Sequence, residues 1–226
     1  MKIRISSCTI LLIALVGLTM GCSKEDNPPG PVTDIEGNIY KTVQIGNQVW
    51  MAENLRTSTL SDGTDIPDVP DAIDWNELTT PAHCWYNNDE VANKDVYGAL
   101  YNYYAVNSGK LCPSGWHVPS KDEWQGLREA LGDTITGGGK LKEEGTEHWK
   151  TPNTGAVNST GFTALPAGIR YFEGTFNSVT FFTSFWSSTE SDINKSWYLS
   201  LYYSDAIAAM NRISKKDGFS LRCIKD

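Results

Sequence analysis

The chain has 226 residues, a length that suits one domain of ordinary size plus a leader. Its formal net charge is −8 and no basic cluster interrupts the acidic balance, which argues against binding to the phosphate backbone of nucleic acids. With 11% aromatic residues and 20 glycines, the composition favours a loop-rich domain stabilised by large buried rings over a helical bundle.

Residues 1–21 have the features of an export signal. Lys2 and Arg4 give a basic start, residues 10–20 are almost entirely apolar, and Gly21 precedes Cys22. A basic start, an apolar stretch of about 7–15 residues and a small residue before the cut are typical of a secretory signal, whereas a permanent span needs about 20 apolar residues. Removal of the signal takes away Lys2 and Arg4 and no acid, so the net charge falls from −8 to −10.

Cys22 gives this signal a second property. Its position resembles the lipobox of bacterial lipoproteins, whose cysteine is lipidated and becomes the first residue, although Thr19 stands where lipoboxes favour leucine. Residues 23–26 (SKED) resemble the signal that sends Bacteroidetes lipoproteins to the cell surface. The resemblance implies a lipoprotein of the outer membrane that faces the extracellular side and touches the membrane through its lipid anchor only. The alternative is an ordinary secretory signal in which Cys22 has no role.

Residues 22–33 contain three prolines and are predicted to be an extended spacer before a single domain, 34–226. Residues 34–51 predict a β-hairpin that turns at Gly46. Residues 61–81 are acidic and interrupted by prolines, which indicates a long surface loop. Apolar residues at helical spacing over 97–106 predict a helix there, with Gly109 as its C-cap.

The strongest local signal is a capping box at Ser120 and Glu123. It predicts a helix that buries Trp124 and Leu127 and ends at Gly132. Further along, β-forming runs between Gly- and Asn-bearing turns predict strands at 162–165, 169–172, 181–187, 197–202 and 219–224. The second half is therefore β-rich and the fold class α+β. The run 137–139 (GGG) is not a phosphate loop, because no strand leads into it and no Gly-Lys-Ser/Thr follows.

Three cysteines remain in the domain: Cys84, Cys112 and Cys223. In an oxidising compartment they form at most one bridge. Cys84 lies in an apolar run and is interpreted as a buried thiol. The residues alone leave a pairing of Cys84 with Cys112 open.

Several phrases occur together and in order: QVWMAENLR (48–56), CWYNND (84–89), YGALYN (97–102), LCPSGWHV (111–118), WSSTE (186–190) and GFSLRC (218–223). On these phrases residues 34–226 closely resemble the Fibrobacter succinogenes major paralogous domain family. Members of that family are surface lipoproteins of Bacteroidetes and Fibrobacteres, and the family has no established biochemical function. The resemblance therefore implies a location and a domain, but no activity.

The order of these motifs is also similar to that of the C-type-lectin-like fold, which includes the formylglycine-generating enzyme. This resemblance implies a loop-rich domain with an N-terminal β-hairpin, about two helices and a β-rich C-terminal half. It also implies a disulfide between Cys112 and Cys223, because that fold brings its first helix and last strand together at its base. A shared fold does not by itself give a function.

Enzymatic chemistry has little support in the sequence. The enzyme branch of that fold uses a late pair of reactive cysteines, and only Cys223 follows Cys112. None of His83, His117 and His148 accompanies a Gly-x-Ser-x-Gly turn or has the spacing of a zinc site. His117 is interpreted as a core histidine, and we expect neither catalysis nor a cofactor.

Calcium binding has weak support in the sequence. The Glu-Pro-Asn, Gln-Pro-Asp and Trp-Asn-Asp triplets of sugar-binding C-type lectins are absent. Aspartates recur every third residue and would offer oxygen ligands, but they lack the EF-hand pattern, and such loops are usually just solvated. These aspartates are Asp62, Asp65, Asp68, Asp71 and Asp74.

Residues 187–216 mix Ser, Asn, Asp, Tyr and Trp, as recognition loops do. The predicted ligand-facing residues are Ser191, Asp192, Asn194, Lys195, Tyr198, Tyr202, Tyr203, Asp205, Asn211 and Arg212. The alternative is strand alternation alone, with Trp197, Leu199 and Leu201 in the core and the others merely solvated. We predict a non-catalytic module that binds an extracellular glycan, polymer or protein. The alternative functions are a structural surface component without a specific ligand and, less favoured, an enzyme like the formylglycine-generating enzyme.

Overall fold

The computed structural model describes residues 30–133 and 135–226. The predicted signal, the lipidation site Cys22 and the spacer up to residue 29 lie outside these ranges. Of the helices within them, none combines the length and the apolar composition that a bilayer span requires.

The described chain is a mixed α+β fold in which strands predominate. It contains the helices α1 (Ala72–Glu77), α2 (Glu90–Tyr97), α3 (Tyr103–Val106), α4 (Lys121–Ala130) and α5 (Gly137–Leu141), with a 3-10 turn at Tyr86–Asn88. Its strands are β1 (Val32–Thr33), β2 (Ile39–Tyr40), β3 (Thr42–Ile45), β4 (Gln48–Met51), β5 (His83–Cys84), β6 (Leu100–Tyr101), β7 (Trp116–His117), β8 (Ile169–Arg170), β9 (Phe176–Asn177), β10 (Phe182–Glu190), β11 (Lys195–Tyr202), β12 (Ala209–Ser214) and β13 (Ile224–Lys225). The expectation of about two helices is therefore wrong, because short helices form inside segments without a helical pattern.

Two antiparallel sheets organise these elements. One has the order β3-β4-β13-β7, so the last strand of the chain pairs with the N-terminal hairpin. The other has the order β10-β11-β12, with β12 at one edge. The remaining strands form the two-stranded ladders β1-β2, β5-β6 and β8-β9. The two ends of the domain are thus joined in a single sheet.

The predicted N-terminal hairpin is confirmed over β3 and β4. The register runs from Thr42↔Met51 to Ile45↔Gln48, and Gly46 adopts a φ of 61° at the turn, a conformation that favours glycine. Ile39 lies outside this hairpin, because β2 pairs with β1 instead.

The capping box is confirmed at the start of α4. The Ser120 hydroxyl accepts a hydrogen bond from the Glu123 amide (3.2 Å), and the Glu123 carboxylate accepts one from the Ser120 amide (2.7 Å). Trp124 and Leu127 are fully buried as predicted. The Trp124 indole donates to the carbonyl of Trp186 at 3.2 Å, which fixes α4 against β10.

Hydrophobic core covers both faces of most of β10 and β11 in the three-stranded sheet, whereas the edge strand β12 exposes Asn211 and Arg212. On one face, Phe185 and Leu199 pack in a cluster with Trp124. On the other, Trp186 and Tyr198 pack in a cluster that includes Phe219. Because neighbouring side chains point to opposite faces of a strand, most of β11 has no solvated face.

Buried cations satisfy the carbonyl groups of the irregular segments. Lys142 Nζ donates to the carbonyls of Thr154 (2.9 Å), Tyr202 (3.0 Å) and Asp205 (2.7 Å). Arg170 stacks over Trp75 at 4.3 Å and donates to the carbonyls of Val69, Pro70, Asp71 and Gly174. A buried carbonyl without a donor is costly, so these side chains allow long segments to pack without regular secondary structure.

The pairing of Cys112 with Cys223, which the resemblance to the C-type-lectin-like fold implies, is confirmed. Cys112 and Cys223 form a disulfide with a Cα to Cα distance of 5.9 Å. Cys84 is a free, fully buried thiol. The bridge joins the segment before β7 to the segment before β13, two strands that are themselves paired.

The prediction of an uninterrupted loop over 61–81 is wrong at its centre. Asp71 caps α1 by accepting hydrogen bonds from the amides of Ile73 and Asp74. This one-and-a-half-turn helix carries Trp75, which is fully buried. A single apolar anchor gives no periodicity, so the helix has no visible pattern in the sequence.

The prediction of one helix over 97–106 is also wrong. Tyr97 ends α2, and Gly98 follows with a φ of 71°. The chain then forms β6 and starts again as α3, where the Asn102 side chain accepts from the Ala105 amide at 3.0 Å. The apolar residues at helical spacing belong to a buried strand followed by a short helix, which together imitate one helical face.

The strand predictions are correct in β10 and β11 and less so elsewhere. Residues 162–165 make only an isolated bridge, Lys142↔Ala164. The carbonyls of Phe162 and Thr163 accept hydrogen bonds from the buried Arg222 instead of from a neighbouring strand. Within 219–224 only Ile224 lies in a strand, and within 169–172 only Ile169 and Arg170 do. The edge strand β12 was not predicted.

The glycine run 137–139 lies in α5 and has a packing role. A Cβ atom on Gly138 would stand 2.6 Å from the carbonyl oxygen of Ile207. The glycines let the helix backbone approach a loop closely.

Candidate ligand-binding site

Half of the predicted ligand-facing residues line one surface depression, which we call the edge groove. It has a volume of about 510 Å³ and is lined by Asp192, Lys195, Trp197, Tyr198, Met210, Asn211 and Arg212. It lies where β11 pairs with the edge strand β12, whose register sets Trp197 opposite Arg212 and Tyr198 opposite Asn211. Asp192, Lys195, Tyr198, Asn211 and Arg212 thus lie together in one depression, and their contact with a ligand stays a prediction.

Trp197 is the large aromatic side chain of the edge groove, and it is half-buried. The ammonium of Lys121 lies 4.3 Å from the centre of its ring system, and the guanidinium carbon of Arg212 lies 5.4 Å from it. Cations over an indole are favourable contacts that restrict both partners. Strand alternation alone assigned Trp197 to the core, so its exposure was missed.

A tight turn presents the polar end of the groove. Asp192 Oδ1 accepts hydrogen bonds from the amides of Asn194 (2.9 Å) and Lys195 (3.0 Å). The Ser191 amide donates to the Lys195 carbonyl at 2.9 Å. Across the groove, Asn211 Nδ2 donates to Ser200 Oγ at 3.0 Å. These contacts fix the backbone of the turn and the Asn211 amide.

The three predicted tyrosines do not form one surface. Tyr198 is only 9% exposed, its ring centre is 4.7 Å from that of Phe219, and burial raises its pKa to about 12. Tyr202 is 41% exposed and stacks on Phe182 at 4.7 Å. Tyr203 packs elsewhere, with its ring centre 5.3 Å from that of Phe181. The period of two in a strand separates Tyr202 from Tyr203.

Asp205 and Ser191 also lie outside the groove lining. Asp205 Oδ1 accepts from the Ile207 amide at 2.9 Å, and its carbonyl accepts from the buried Lys142. Asp205 therefore shapes the loop after β11. The groove residues offer donors, acceptors and an aromatic face, which suits reversible recognition.

The three histidines have separate environments. His83 is buried with Nδ1 2.9 Å from the carbonyl of Ile66, and burial lowers its pKa. His117 is half-exposed between carboxylates of Glu123 (2.8 Å) and Asp226 (2.6 Å). The interpretation of His117 as a core histidine is therefore wrong, since it bridges two carboxylates at the surface.

The aspartates of 62–74 do not converge in the structure. Asp62 pairs with Lys110 at 2.7 Å, and Asp71 caps α1. In the described ranges, the group able to hold a metal ion lies elsewhere and consists of Glu143, Glu147 and His148, whose ligand atoms are all within 4.8 Å of one another. His148 Nδ1 is 2.8 Å from Glu143, a distance that an ordinary ion pair also gives.

Comparison with known proteins gives one match. A search of curated proteins and a search of solved structures each returned no match. The family model described as the Fibrobacter succinogenes major domain matches residues 43–225, a range that runs from β3 to β13 and contains the edge groove. The chain therefore belongs to the Fibrobacter succinogenes major domain family.

Proposed function

We propose that the protein is a non-catalytic binding module at the bacterial cell surface, which holds an extracellular glycan, polymer or protein in the edge groove. The observation that carries this proposal is the half-buried Trp197 with Asp192, Lys195, Asn211 and Arg212 around it. An aromatic face supplies contact area at low entropic cost, and the polar side chains supply adaptable hydrogen bonds.

The position of the groove favours a chain-like ligand. The groove follows the edge strand β12 and the turn before β11. It does not penetrate the core, because side chains fill the space on both faces of β10 and β11. A surface depression of this kind contacts several units of a polymer along its length. An enclosed cavity would select a small ligand instead.

The proposal includes a lipid anchor at Cys22 and the outer leaflet of the outer membrane as the location. Val32 in β1 follows Cys22 by ten positions, so a fully extended spacer reaches at most about 35 Å. The groove would then work close to the cell surface. A variant with Cys22→Ala should move from the membrane fraction to the soluble fraction, and unchanged membrane association would rule out lipidation as the anchor.

A C-type-lectin-like fold is the finer structural proposal. It is supported by the capped helix α4 against β10, by the long β10-β11 pair, and by the Cys112–Cys223 bridge, which joins the segment before β7 to the C-terminal segment before β13. An experimental structure that superposes these elements on a C-type lectin would test it. A different connection of the two sheets would reject it.

Binding should be measured with the full-length protein, purified in mild detergent, on an array of polysaccharides and extracellular proteins. Replacement of all three predicted tyrosines is unsuitable as a test, because Tyr198 belongs to the core. The informative variants are Trp197→Ala and Arg212→Ala. Lys150→Ala is a matched control, because its ammonium also lies over an aromatic ring, 4.2 Å from the centre of Phe181, but outside the groove.

We expect retention on at least one polymer, lost in Trp197→Ala and Arg212→Ala and kept in Lys150→Ala. Retention that survives in both groove variants would contradict the assignment of the groove. A complete blank from folded protein would contradict the binding function and favour a structural surface component.

A further inference from the structure

A second cavity lies apart from the edge groove and shares no residue with it. Its volume is about 340 Å³. It is lined by residues from the segments 52–56, 94–98 and 161–165, together with Lys41, His148 and Arg222. Its charged lining residues are Lys41, Glu53, Arg56, Lys94, Asp95 and Arg222. We call it the basic cavity, because four of these six side chains are cationic in a protein whose net charge is −8.

Arg222 is the unusual group of the basic cavity. It is 1% exposed, and in the described ranges no carboxylate forms a salt bridge with it. Three hydrogen bonds hold it, to Asn54 Oδ1 (2.8 Å), to the carbonyl of Phe162 and to that of Thr163 (2.9 Å). A guanidinium has five N–H donors, so two form no hydrogen bond with the described residues. The guanidinium carbon also lies 4.2 Å from the ring centre of Phe162 and 5.3 Å from that of Phe185, but neither ring carries a compensating negative charge.

A buried charge without a counter-ion is expensive for a fold. Burial accordingly lowers the pKa of Arg222 to about 9, against a weak opposing effect of Glu53. Arg170 and Lys142 are also held by carbonyls, but neither lines this cavity. Arg222 therefore combines a missing counter-ion with access to a space that an anion would fill.

The other charges leave the cavity with an excess of one cation. Lys94 pairs with Glu90 at 2.7 Å, outside the cavity lining. Arg56 is bound on one side to the carbonyl of Ile39 (2.9 Å), and the Lys41 ammonium has no partner among the described residues. Against the three cations Arg222, Arg56 and Lys41 stand the two carboxylates of Glu53 and Asp95.

We infer that the basic cavity binds a small hydroxylated carboxylate, a sugar acid, whose carboxylate compensates Arg222 and whose hydroxyls donate to the carboxylates of Glu53 and Asp95. Ligand pockets usually measure about 300–1,000 Å³, and this cavity is near the lower limit, which suits one sugar ring. Glu53 Oε2 already accepts a hydrogen bond from the Lys41 amide at 2.6 Å, so a sugar hydroxyl would donate to its other oxygen and to the carboxylate of Asp95. Inorganic phosphate carries fewer hydroxyl donors than a sugar acid.

The test is isothermal calorimetry on the full-length protein with D-glucuronate, D-glucose and inorganic phosphate. We expect saturable binding of glucuronate, no detectable binding of glucose, and binding of phosphate at least tenfold weaker. Glucose binding as tight as that of glucuronate would show that the ligand carboxylate contributes nothing, and it would overturn the proposed pairing with Arg222. Phosphate binding as tight as that of glucuronate would overturn the sugar-acid assignment, and so would the absence of any glucuronate binding.

Location is tested by variants and by amide chemical shifts. Arg222→Gln removes buried hydrogen bonds and is expected to fold poorly, so Lys41→Gln, at an exposed position, is the working variant. It should weaken glucuronate binding at least threefold, whereas Lys195→Gln and Arg212→Ala in the edge groove should not change it. Glucuronate should shift the amide signals of Gly98 and Gly161, and shifts confined to Asn211 would overturn the proposal independently of whether the edge groove binds a polymer.

Discussion

Asn54 and Arg222 are hydrogen-bonded at 2.8 Å although 168 residues separate them in the chain. The same Asn54 side chain donates to the carbonyl of Tyr97 at 2.8 Å and to Ser220 Oγ at 3.3 Å. One buried amide thus connects the segment after the N-terminal hairpin, the end of α2 and the C-terminal segment.

Replacement of Asn54 by the nearly isosteric leucine should therefore destabilise the domain. It leaves Arg222 Nε and the Tyr97 carbonyl without partners, and each buried unsatisfied group costs about 1–3 kcal/mol. We expect the free energy of unfolding to fall by about 2–4 kcal/mol in urea titrations. Asn107→Ala, at an exposed position, should change it by less than about 0.5 kcal/mol. Equal effects of the two substitutions would show that the Asn54 contacts add no stability.

The sequence predicts those elements whose signals are local. The capping box of α4 and the Gly-Asn turn of the first hairpin depend on neighbouring residues, and both are confirmed. The helix α1 is anchored by Trp75 against Arg170, a contact between residues 95 positions apart. No local pattern encodes such a contact, so α1 was missed.

The candidate site shows the same limit. Composition correctly gathered Asp192, Asn211 and Arg212 into one region. The alternation of side chains along β11 does not separate exposed from buried residues, because hydrophobic core packs on both faces of that strand. Successive side chains therefore point into two different parts of the core, and not alternately into core and solvent. Tyr198 was therefore placed at the surface, and Trp197 in the core.

Asp217 should make the stability of the domain decrease as the pH rises. It is 1% exposed and accepts from the Phe172 amide at 2.7 Å, and burial raises its pKa to about 7. Because the unfolded carboxyl titrates near pH 3.9, the folded state binds the extra proton between about pH 4 and 7. The stabilisation is present below about pH 4 and is lost progressively as the pH rises through 7, by at most about 4 kcal/mol.

The matched variant is Asp217→Asn, which keeps the shape and the acceptor oxygen. Urea titrations at pH 5 and pH 8 should show a smaller decrease in unfolding free energy for this variant than for the natural chain. The same slope in both proteins would mean that Asp217 is ionised in the folded state over this whole range.

His117 should titrate above its ordinary pKa. Burial alone would lower its pKa, but hydrogen bonds with Asp226 and Glu123 outweigh that effect and raise it. Its contribution to stability is complete below the unfolded pKa of about 6.5 and is lost as the pH rises through the folded value. A proton NMR titration should show this shift, and Asp226→Asn should bring the pKa of His117 down. An unchanged midpoint in that variant would mean that the Asp226 contact is not populated in solution.

The Cys112–Cys223 disulfide should be a large part of the stability of the domain. It spans a sequence separation of 111 residues, and removal of a native disulfide from a small secreted domain typically costs about 2–5 kcal/mol. The double variant Cys112→Ala/Cys223→Ala should show such a loss in urea titrations. A variant that unfolds at the same urea concentration as the natural chain would show that the β7-β13 pairing suffices without the bridge.

Cys84 should be unreactive in the folded protein. It is fully buried, and burial raises its pKa to about 12 against the weaker opposing effect of Arg170. Since the thiolate is the reactive form, alkylation at pH 8 should be about 10³-fold slower than for an ordinary cysteine, with burial slowing it further. Mass spectrometry of the purified protein, treated with iodoacetamide in the absence of reductant, should find Cys84 unmodified until a denaturant is added. Rapid labelling of the folded protein would place Cys84 at the surface, and a bridge that contains Cys84 would overturn the pairing of Cys112 with Cys223.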